Sequence, residues 1–370
     1  MSAAIGSGLP QSEHCDGSAR AAKIRCSQLW MHAPREMQGG QFMQRESYSI
    51  IVEMENAGTI DWDEVGAGLA ALSREIKAAA GLGYVARQVI FVHAGEAGDT
   101  PLLRRRIEDA APELARDVTL GFCALPGGRY YELKNEGIAQ ATGDIVVLYD
   151  SDTVAQPGWL PALLKPFQDP RTVAVNGHTY LEHDDFASRT FALLWIFPLR
   201  DHDRRFAAKR AMNANNCAIR RSWLASHPFP NNNGFKVSCT LLDRQLRAEG
   251  HDLVKTEALA SHYPPRGWRF LLWRALVTGR DADRKYAALK SASRPRRVFK
   301  AMRRWASASW RASLRIALQA PRTGMPAWQV PLAVIVGLVF NALVFVGQIS
   351  LAAGLVRDDV ERVPAFVGHS

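Results

Sequence analysis

Apolar and polar residues along 47–265 follow two patterns, one typical of strands and one typical of helices. Continuous apolar runs bounded by turn residues predict buried strands at 48–54, 88–93, 118–123, 144–149, 172–181 and 252–260. Between these runs, apolar residues recur every three or four positions, as in 61–80, which predicts amphipathic helices. Strands that alternate with helices predict an α/β fold of Rossmann type, with a mostly parallel sheet flanked by helices.

The pattern changes near the C-terminus, where residues 329–355 are almost entirely apolar and contain no charged side chain. A helix needs about 20 such residues to cross the hydrocarbon layer of a bilayer. The pattern therefore predicts one C-terminal transmembrane helix within 329–355, followed by a short tail, 356–370. A helix buried in a protein core is the alternative interpretation, but core helices seldom run this far without a charge.

The positive charge of the chain is concentrated just before this apolar segment. Residues 266–322 contain 16 Lys and Arg and two acids, which gives +14 and leaves the rest of the chain at −4. A basic segment alone would suggest nucleic-acid binding. Because it borders an apolar span, it instead predicts basic amphipathic helices on a membrane surface over 266–328, with membrane lipids as partners and no nucleic acid. The same charge bias predicts that the preceding domain faces the cytoplasm, and an inner membrane is the expected location.

Composition is compatible with a globular domain in a reducing compartment. Of the 370 residues, 47% are hydrophobic and 22% are charged, so a packed core is expected. The five cysteines are scattered and form no Cys-Xaa-Xaa-Cys pair, which argues against a disulfide framework or a zinc site. Residues 1–46 are rich in Gly, Ser, Ala and Gln and have no apolar run of signal-peptide length, so they are predicted to form a disordered N-terminal extension.

Candidate chemistry appears where the apolar run 144–149 ends, at Asp150, Ser151 and Asp152. Ligands of open α/β sheets bind at the carboxyl ends of the strands. Two carboxylates at that edge are hard oxygen ligands, which suit Mg²⁺ or Mn²⁺ together with substrate phosphates. An ordinary turn is the alternative, since Asp is common at turn starts.

The sequence around this motif resembles the nucleotide-sugar glycosyltransferases of family 2, which have the GT-A fold. The resemblance is carried by Lys134-Asn135-Glu136-Gly137, Ala141-Thr142-Gly143-Asp144 and Asp150-Ser151-Asp152, in that order. It implies a catalytic domain over 47–265 that transfers a sugar, with inversion, from a nucleotide diphosphate sugar to a hydroxyl of a glycan or lipid-linked acceptor, such as an envelope polysaccharide. An enzyme of the hexosyltransferase class is expected.

The resemblance also implies the residues of the donor site. Glu55, Asn56, Lys134, Asp150 and Asp152 are expected to bind the nucleotide sugar. Asp150 and Asp152, with a histidine after the last strand, His262, are expected to hold the metal. The chain departs from the family at His93, where the family usually has an aspartate that binds the nucleotide base, so the identity of the base stays open.

The family's catalytic base lies near the start of a helix that corresponds to 236–249 here. Counting back from Gly250 places Cys239 at the position of that aspartate. Asp243 lies one turn later on the same face and is the predicted catalytic base. A surface aspartate paired with Arg247 is the alternative.

Two other functions compete with sugar transfer. A nucleotidyltransferase of similar sheet topology would usually carry a Gly-rich loop with basic residues after the first strand, which this chain lacks. A non-catalytic membrane scaffold with a degraded glycosyltransferase fold is the other alternative, which the departures at His93 and Cys239 make conceivable.

Overall fold

The computed structural model describes residues 46–55, 61–194, 197–200, 212–231, 234, 237–264, 267–290 and 292–359. Residues 1–45 of the predicted extension and 360–370 of the predicted tail lie outside this part of the chain, as does Asn56.

Eight strands alternate with helices along the described residues. The strands are β1 (Ser47–Glu53), β2 (Val85–His93), β3 (Leu120–Ala124), β4 (Ile145–Asp150), β5 (Thr153–Ala155), β6 (Ala174–Leu181), β7 (Asn216–Arg220) and β8 (Leu253–His262). The α-helices are α1 (Trp62–Gly81), α2 (Thr100–Ala110), α3 (Pro112–Asp117), α4 (Tyr130–Gln140), α5 (Trp159–Leu164), α6 (Phe186–Leu194), α7 (Arg221–Ser226), α8 (Val237–Ala248), α9 (Trp268–Lys290), α10 (Arg294–Gln319) and α11 (Val330–Ala352). All six apolar runs named above form strands, although their ends differ by a few residues.

The strands form one mixed sheet in the order β3-β2-β1-β4-β7-β6-β8-β5. The first four strands in this order are parallel, as expected from the pattern. β7 differs, because it runs antiparallel between β4 and β6, and β5 pairs antiparallel with β8. Alternation of strands and helices predicts that later strands join the sheet, but it does not fix which neighbour each one pairs with or in which direction.

Helices cover both faces of the sheet because its central strands are apolar on both sides. Along β1, Ile50 and Val52 pack with α1, α2, α3 and α5, while Ile51 packs on the other face with α4, α7 and α8. Successive side chains of a strand point to opposite faces, so a strand buried on both faces reads as a continuous apolar run. The mixed sheet between two helix layers confirms the predicted α/β fold.

Three helices follow the sheet domain. Two of them, α9 and α10, lie within the basic segment, and the third, α11, forms the predicted apolar helix. Residues Ala327–Ala352 are the one stretch among the described residues that is long and apolar enough to cross a membrane. A third apolar core joins α9, α10 and α11 to α6 and the end of β6. The three helices therefore pack on the sheet domain.

Candidate active site

The adjacent parallel strands β1 and β4 end at the same edge of the sheet. Their register places Glu53 opposite Asp150, and the N–H of Ser151 donates to the carbonyl of Glu53 at 3.1 Å. Asp150 and Asp152 are both buried, at 5% and 6% exposure. The short turn between β4 and β5 therefore holds two carboxylates under the surface at the edge where the sequence predicts them.

Helix α4 supplies the partners of Asp150. The ammonium of Lys134 donates to Asp150 Oδ1 at 2.6 Å, and the hydroxyl of Tyr130 donates to Oδ2 at 2.9 Å. Lys134 is fully buried, which alone would lower its pKa, but the Asp150 and Glu53 carboxylates outweigh burial and hold the pKa of Lys134 above its ordinary value. The structure thus brings Lys134 and Asp150 together as a buried ion pair. The metal-ligand role of Asp150 stays a prediction.

Asp152 faces His262 across the neighbouring strands β5 and β8. Oδ2 of Asp152 lies 3.3 Å from Nε2 of His262, and Nδ1 of His262 lies 2.7 Å from the carbonyl of Tyr263. Since a carbonyl only accepts, Nδ1 carries the proton, and Nε2 of a neutral ring presents a lone pair to the carboxylate. A proton or a cation between the two atoms satisfies both, and a metal-bound histidine commonly donates its other N–H to a carbonyl in this way.

This pair fits two positions of a divalent cation site. Burial raises the pKa of Asp152, although His262 opposes the shift. Within the described residues, no group of three His, Cys, Asp or Glu side chains is arranged to hold a metal ion. The remaining ligands of such an ion would come from substrate phosphates and water, as is usual for Mg²⁺ sites.

Two glutamates complete the acidic edge. Glu53 is fully buried, and burial, reinforced by Asp150, raises its pKa well above the ordinary value. The backbone N–H of Glu55 donates to the Glu53 carboxylate. Burial also raises the pKa of Glu55 to about 7, despite the nearby guanidinium of Arg274. The predicted donor residue Glu55 therefore lies in the same electrostatic cluster as Lys134 and Asp150.

Three members of this cluster were not predicted from the sequence. In the sequence, Tyr130 is only one position of a helical pattern, and Glu53 is only the polar residue at the end of a strand. Arg274 belongs to the segment predicted to lie on a membrane surface, but its guanidinium is buried near Glu55, and burial lowers its pKa. Strand register could have identified Glu53, since it lies opposite Asp150, whereas no local pattern indicates Arg274.

Helix α8 places Cys239, and not Asp243, against this cluster. The hydroxyl of Tyr131 donates to Cys239 Sγ at 3.1 Å, and the ring of Tyr131 packs edge-on against Tyr130 at 4.8 Å. Burial raises the pKa of the Cys239 thiol to about 11. Asp243 forms the i,i+4 ion pair with Arg247, at 3.3 Å, that the sequence offered as the alternative to catalysis. Its role as the base therefore stays a prediction.

The chain resembles known proteins in this same region. Residues 122–227 match the sequence model described as "Glycosyl transferase family 2", a segment that contains Lys134, Asp150 and Asp152 and excludes Glu55, Asp243 and His262. No curated protein sequence matches the chain significantly.

Among the solved structures with a similar backbone trace are two proteins of low sequence identity. One is a mannosyltransferase from Pyrobaculum calidifontis in complex with GDP-Man and Mn²⁺, with 16% identity, coverage of 83% of this chain and 87% of that chain, and a TM-score of 0.49. The other is a glucosyl-3-phosphoglycerate synthase from Mycobacterium tuberculosis in complex with Mn²⁺, UDP and phosphoglyceric acid, with 18% identity, coverage of 66% and 78%, and a TM-score of 0.42.

Proposed function

We propose that the chain, whose residues 122–227 match the family 2 glycosyltransferase model, transfers a sugar from a nucleotide diphosphate sugar to a hydroxyl acceptor, with inversion and with the help of a divalent metal. The observation that carries the proposal is the buried edge at which the Lys134–Asp150 pair lies beside the Asp152–His262 pair. This edge combines a buried ammonium with a candidate cation site, and positive charge at such an edge stabilises a departing diphosphate.

Each pair has its own role in binding the donor. Asp152 and His262 would hold Mg²⁺ or Mn²⁺, which when bound supplies Lewis-acid stabilisation to the departing diphosphate. Asp150 keeps Lys134 charged inside the protein, and the ammonium is proposed to contact the diphosphate of the donor.

Recognition of the nucleotide is assigned to the end of β1. Glu55 accepts hydrogen bonds from the ribose or the base when it is ionised, and the neighbouring Asn56, which lies outside the described residues, is proposed as its companion. Arg274 balances the charge of Glu55 from α9.

Asp243 is proposed as the base that accepts the proton of the acceptor hydroxyl. Asp243 pairs with Arg247 on α8, so this role requires that the acceptor approach from the side of α8. Replacing Asp243 with Asn should lower turnover by at least about 10²-fold, the lower end of general-base assistance, with donor binding unchanged. Cys239→Ser is the matched control on the same helix and should have a mild effect. Full activity of Asp243→Asn would exclude it as the base.

The acceptor is proposed to be a lipid-linked or envelope glycan reached from the cytoplasmic face of an inner membrane. The ring of Phe197 lies 5.4 Å from that of His262, and Phe197 also belongs to the core that includes residues of α9 and α11. The candidate metal site therefore lies directly behind the helices that are proposed to meet the membrane.

A donor panel tests this function. Purified full-length protein is incubated with UDP-, GDP- and dTDP-sugars in Mg²⁺ or Mn²⁺, with and without membrane lipid extract, and release of the nucleoside diphosphate is measured. A glycosyltransferase releases the diphosphate from at least one donor only when metal is present. A nucleotidyltransferase would instead form pyrophosphate from a nucleoside triphosphate and a sugar phosphate. A scaffold would release nothing from any donor.

A further inference from the structure

One face of the apolar helix α11 is buried along its whole length. The buried positions recur every three or four residues, and they are Ala333, Gly337, Phe340, Val344, Gly347, Gln348, Leu351 and Ala352. Of these, Ala333, Phe340 and Val344 belong to the third core, together with residues of α6, α9 and α10 such as Phe191, Leu271 and Ile316. Helix α11 is therefore packed against the rest of the protein along its whole length.

Helices α9 and α10 lie on either side of α11. A Cβ atom on Gly279 of α9 would overlap the carbonyl of Val344, and one on Gly347 of α11 would overlap the carbonyl of Leu276, so the two backbones touch. The second neighbour, α10, runs antiparallel to α11 over its full length. Along the pair, Arg294 lies beside Gly354 just after the end of α11, Trp305 lies against Phe345 at 5.5 Å, and Ile316 lies beside Gly337.

The charges of α10 are incompatible with a crossing of the bilayer by this assembly. α10 carries eight Lys and Arg side chains and no acid over its 26 residues. If α11 spanned the hydrocarbon layer, α10 would enter it alongside. A Lys or Arg is strongly disfavoured in the hydrocarbon layer, most of all near its centre, and the eight cations of α10 are spread from its first residue to Arg315. Crossing would therefore require that α10 leave α11 and that the third core open.

The opposite face of α11 is an exposed apolar stripe. Its exposed large side chains are Leu332, Ile335, Leu338, Val339 and Val346. Beside it, α10 exposes Trp305 and Trp310 together with its cations. Tryptophan and basic side chains around an apolar stripe are the composition of helices that lie in the interface of an anionic membrane. The sequence of α11 is apolar on every face. The basic and tryptophan side chains of such an interfacial layer therefore come from the neighbouring helices.

We propose that α11 lies in the plane of an anionic membrane surface, with its exposed stripe in the acyl boundary, and that it does not cross the bilayer. The three helices α9, α10 and α11 then dock as one layer, and both ends of α11 stay on the side of the sheet domain. This deepens the membrane association proposed above and is independent of the sugar transfer. The third core, whose Phe197 lies against His262, is then on the membrane side of the sheet domain.

Topology is tested on the full chain translated with microsomes. The chain has no Asn-Xaa-Ser/Thr sequence of its own, so one such glycosylation site is added after Ser370 in one protein and before Met1 in another. An in-plane helix leaves both sites unmodified, whereas a crossing helix of either orientation exposes one of them to the lumen. Insertion of a 20-leucine helix between Ser370 and the added site is the positive control. Glycosylation of either test protein overturns the proposal.

Membrane binding is tested separately by flotation with vesicles of phosphatidylcholine and phosphatidylglycerol. Ile335→Lys/Val339→Lys should lower the vesicle-bound fraction at least tenfold, while Leu82→Lys, at a 66% exposed leucine of the sheet domain, should leave it unchanged. Equal binding of the double variant and the wild type overturns the docking face, and so does the absence of binding by the wild type. Nucleoside diphosphate release measured in detergent should be the same in all three proteins, so a failure of the sugar-transfer proposal is seen independently.

Discussion

Asp152 is the residue at which the proposed metal chemistry can be tested with the least disturbance of the fold. Asp152→Asn keeps the size of the side chain but removes the negative charge that faces Nε2 of His262 at 3.3 Å. Metal-dependent binding of the donor should be lost, because an amide is a much weaker ligand for Mg²⁺ or Mn²⁺ than a carboxylate. Titration of nucleotide binding with and without Mn²⁺ measures the effect.

Asp169→Asn is a matched control for this change, because Asp169 is an aspartate of the sheet domain that pairs only near the surface with Arg171. It should bind donor as the wild type does. If Asp152→Asn retains the same dependence on metal as the wild type, the metal is held elsewhere.

Glu55 makes the stability of the protein depend on pH in a defined direction. Burial raises its pKa to about 7 from an ordinary value of 4.5. Between these values the folded protein keeps a proton that the unfolded chain releases, so the contribution of Glu55 to the free energy of unfolding falls as pH rises through this window. Glu55→Gln does not titrate, so it should gain stability relative to the wild type from pH 5 to pH 8.

Chemical denaturation of both proteins in EDTA, at intervals of half a pH unit, measures this difference. The use of EDTA keeps a bound metal from changing the charge of the site. A constant difference in the free energy of unfolding across the window would mean that Glu55 titrates alike in the folded and unfolded states.

At the scale of single elements, the sequence predicts what depends on local periodicity. The strand that ends at Asp150 and the helix that carries Lys134 could be predicted, because apolar runs and helical spacing identify them directly. The buried pair of these two residues could not, since it depends on how α4 lies across β4. Register points to Cys239, which lies beside Tyr131, whereas the chemical preference for a carboxylate favours Asp243, whose role as the base stays a prediction.

Helix α9 shows most clearly where local pattern fails. Its mixture of aromatic residues and arginines is typical of a membrane-surface helix, and only the three-dimensional structure shows that Arg274 turns toward Glu55 while Gly279 packs on α11. The glycine itself carries no signal of this contact, because a helical glycine in sequence does not tell which backbone it approaches.

Gly279→Ala tests the close approach of α9 and α11. The added methyl group would overlap the carbonyl of Val344, so the helices must separate, and the thermal midpoint should fall by several degrees. Gly81→Ala in α1 is the matched control, because a Cβ there meets nothing within 4 Å. It should raise the midpoint slightly through the better helix propensity of alanine. Equal midpoints for the two variants would mean that the helices do not touch as described.

At the scale of the whole molecule, three apolar cores are joined through shared elements. Two lie on the faces of the sheet, and the third links β6 and α6 to the C-terminal helices. A separate membrane anchor would contribute nothing to the stability of the domain that it holds. Because α11 fills the third core, it should instead be required for the stability of the sheet domain.

Removal of α11 by ending the chain at Thr323 tests this interdependence. The buried side chains of Phe340, Val344 and Leu351 would be lost, at about 1.5–3 kcal/mol each, and Leu271 and Ile316 would be exposed. The total of roughly 5 kcal/mol or more is comparable with the whole stability of many domains. The shortened protein should therefore unfold at a much lower temperature and aggregate, whereas a chain ending at Asp359, which keeps α11, should unfold as the full chain does. Thermal unfolding in the same detergent compares the three proteins, and an unchanged midpoint after removal of α11 would show that the helix is a separate anchor.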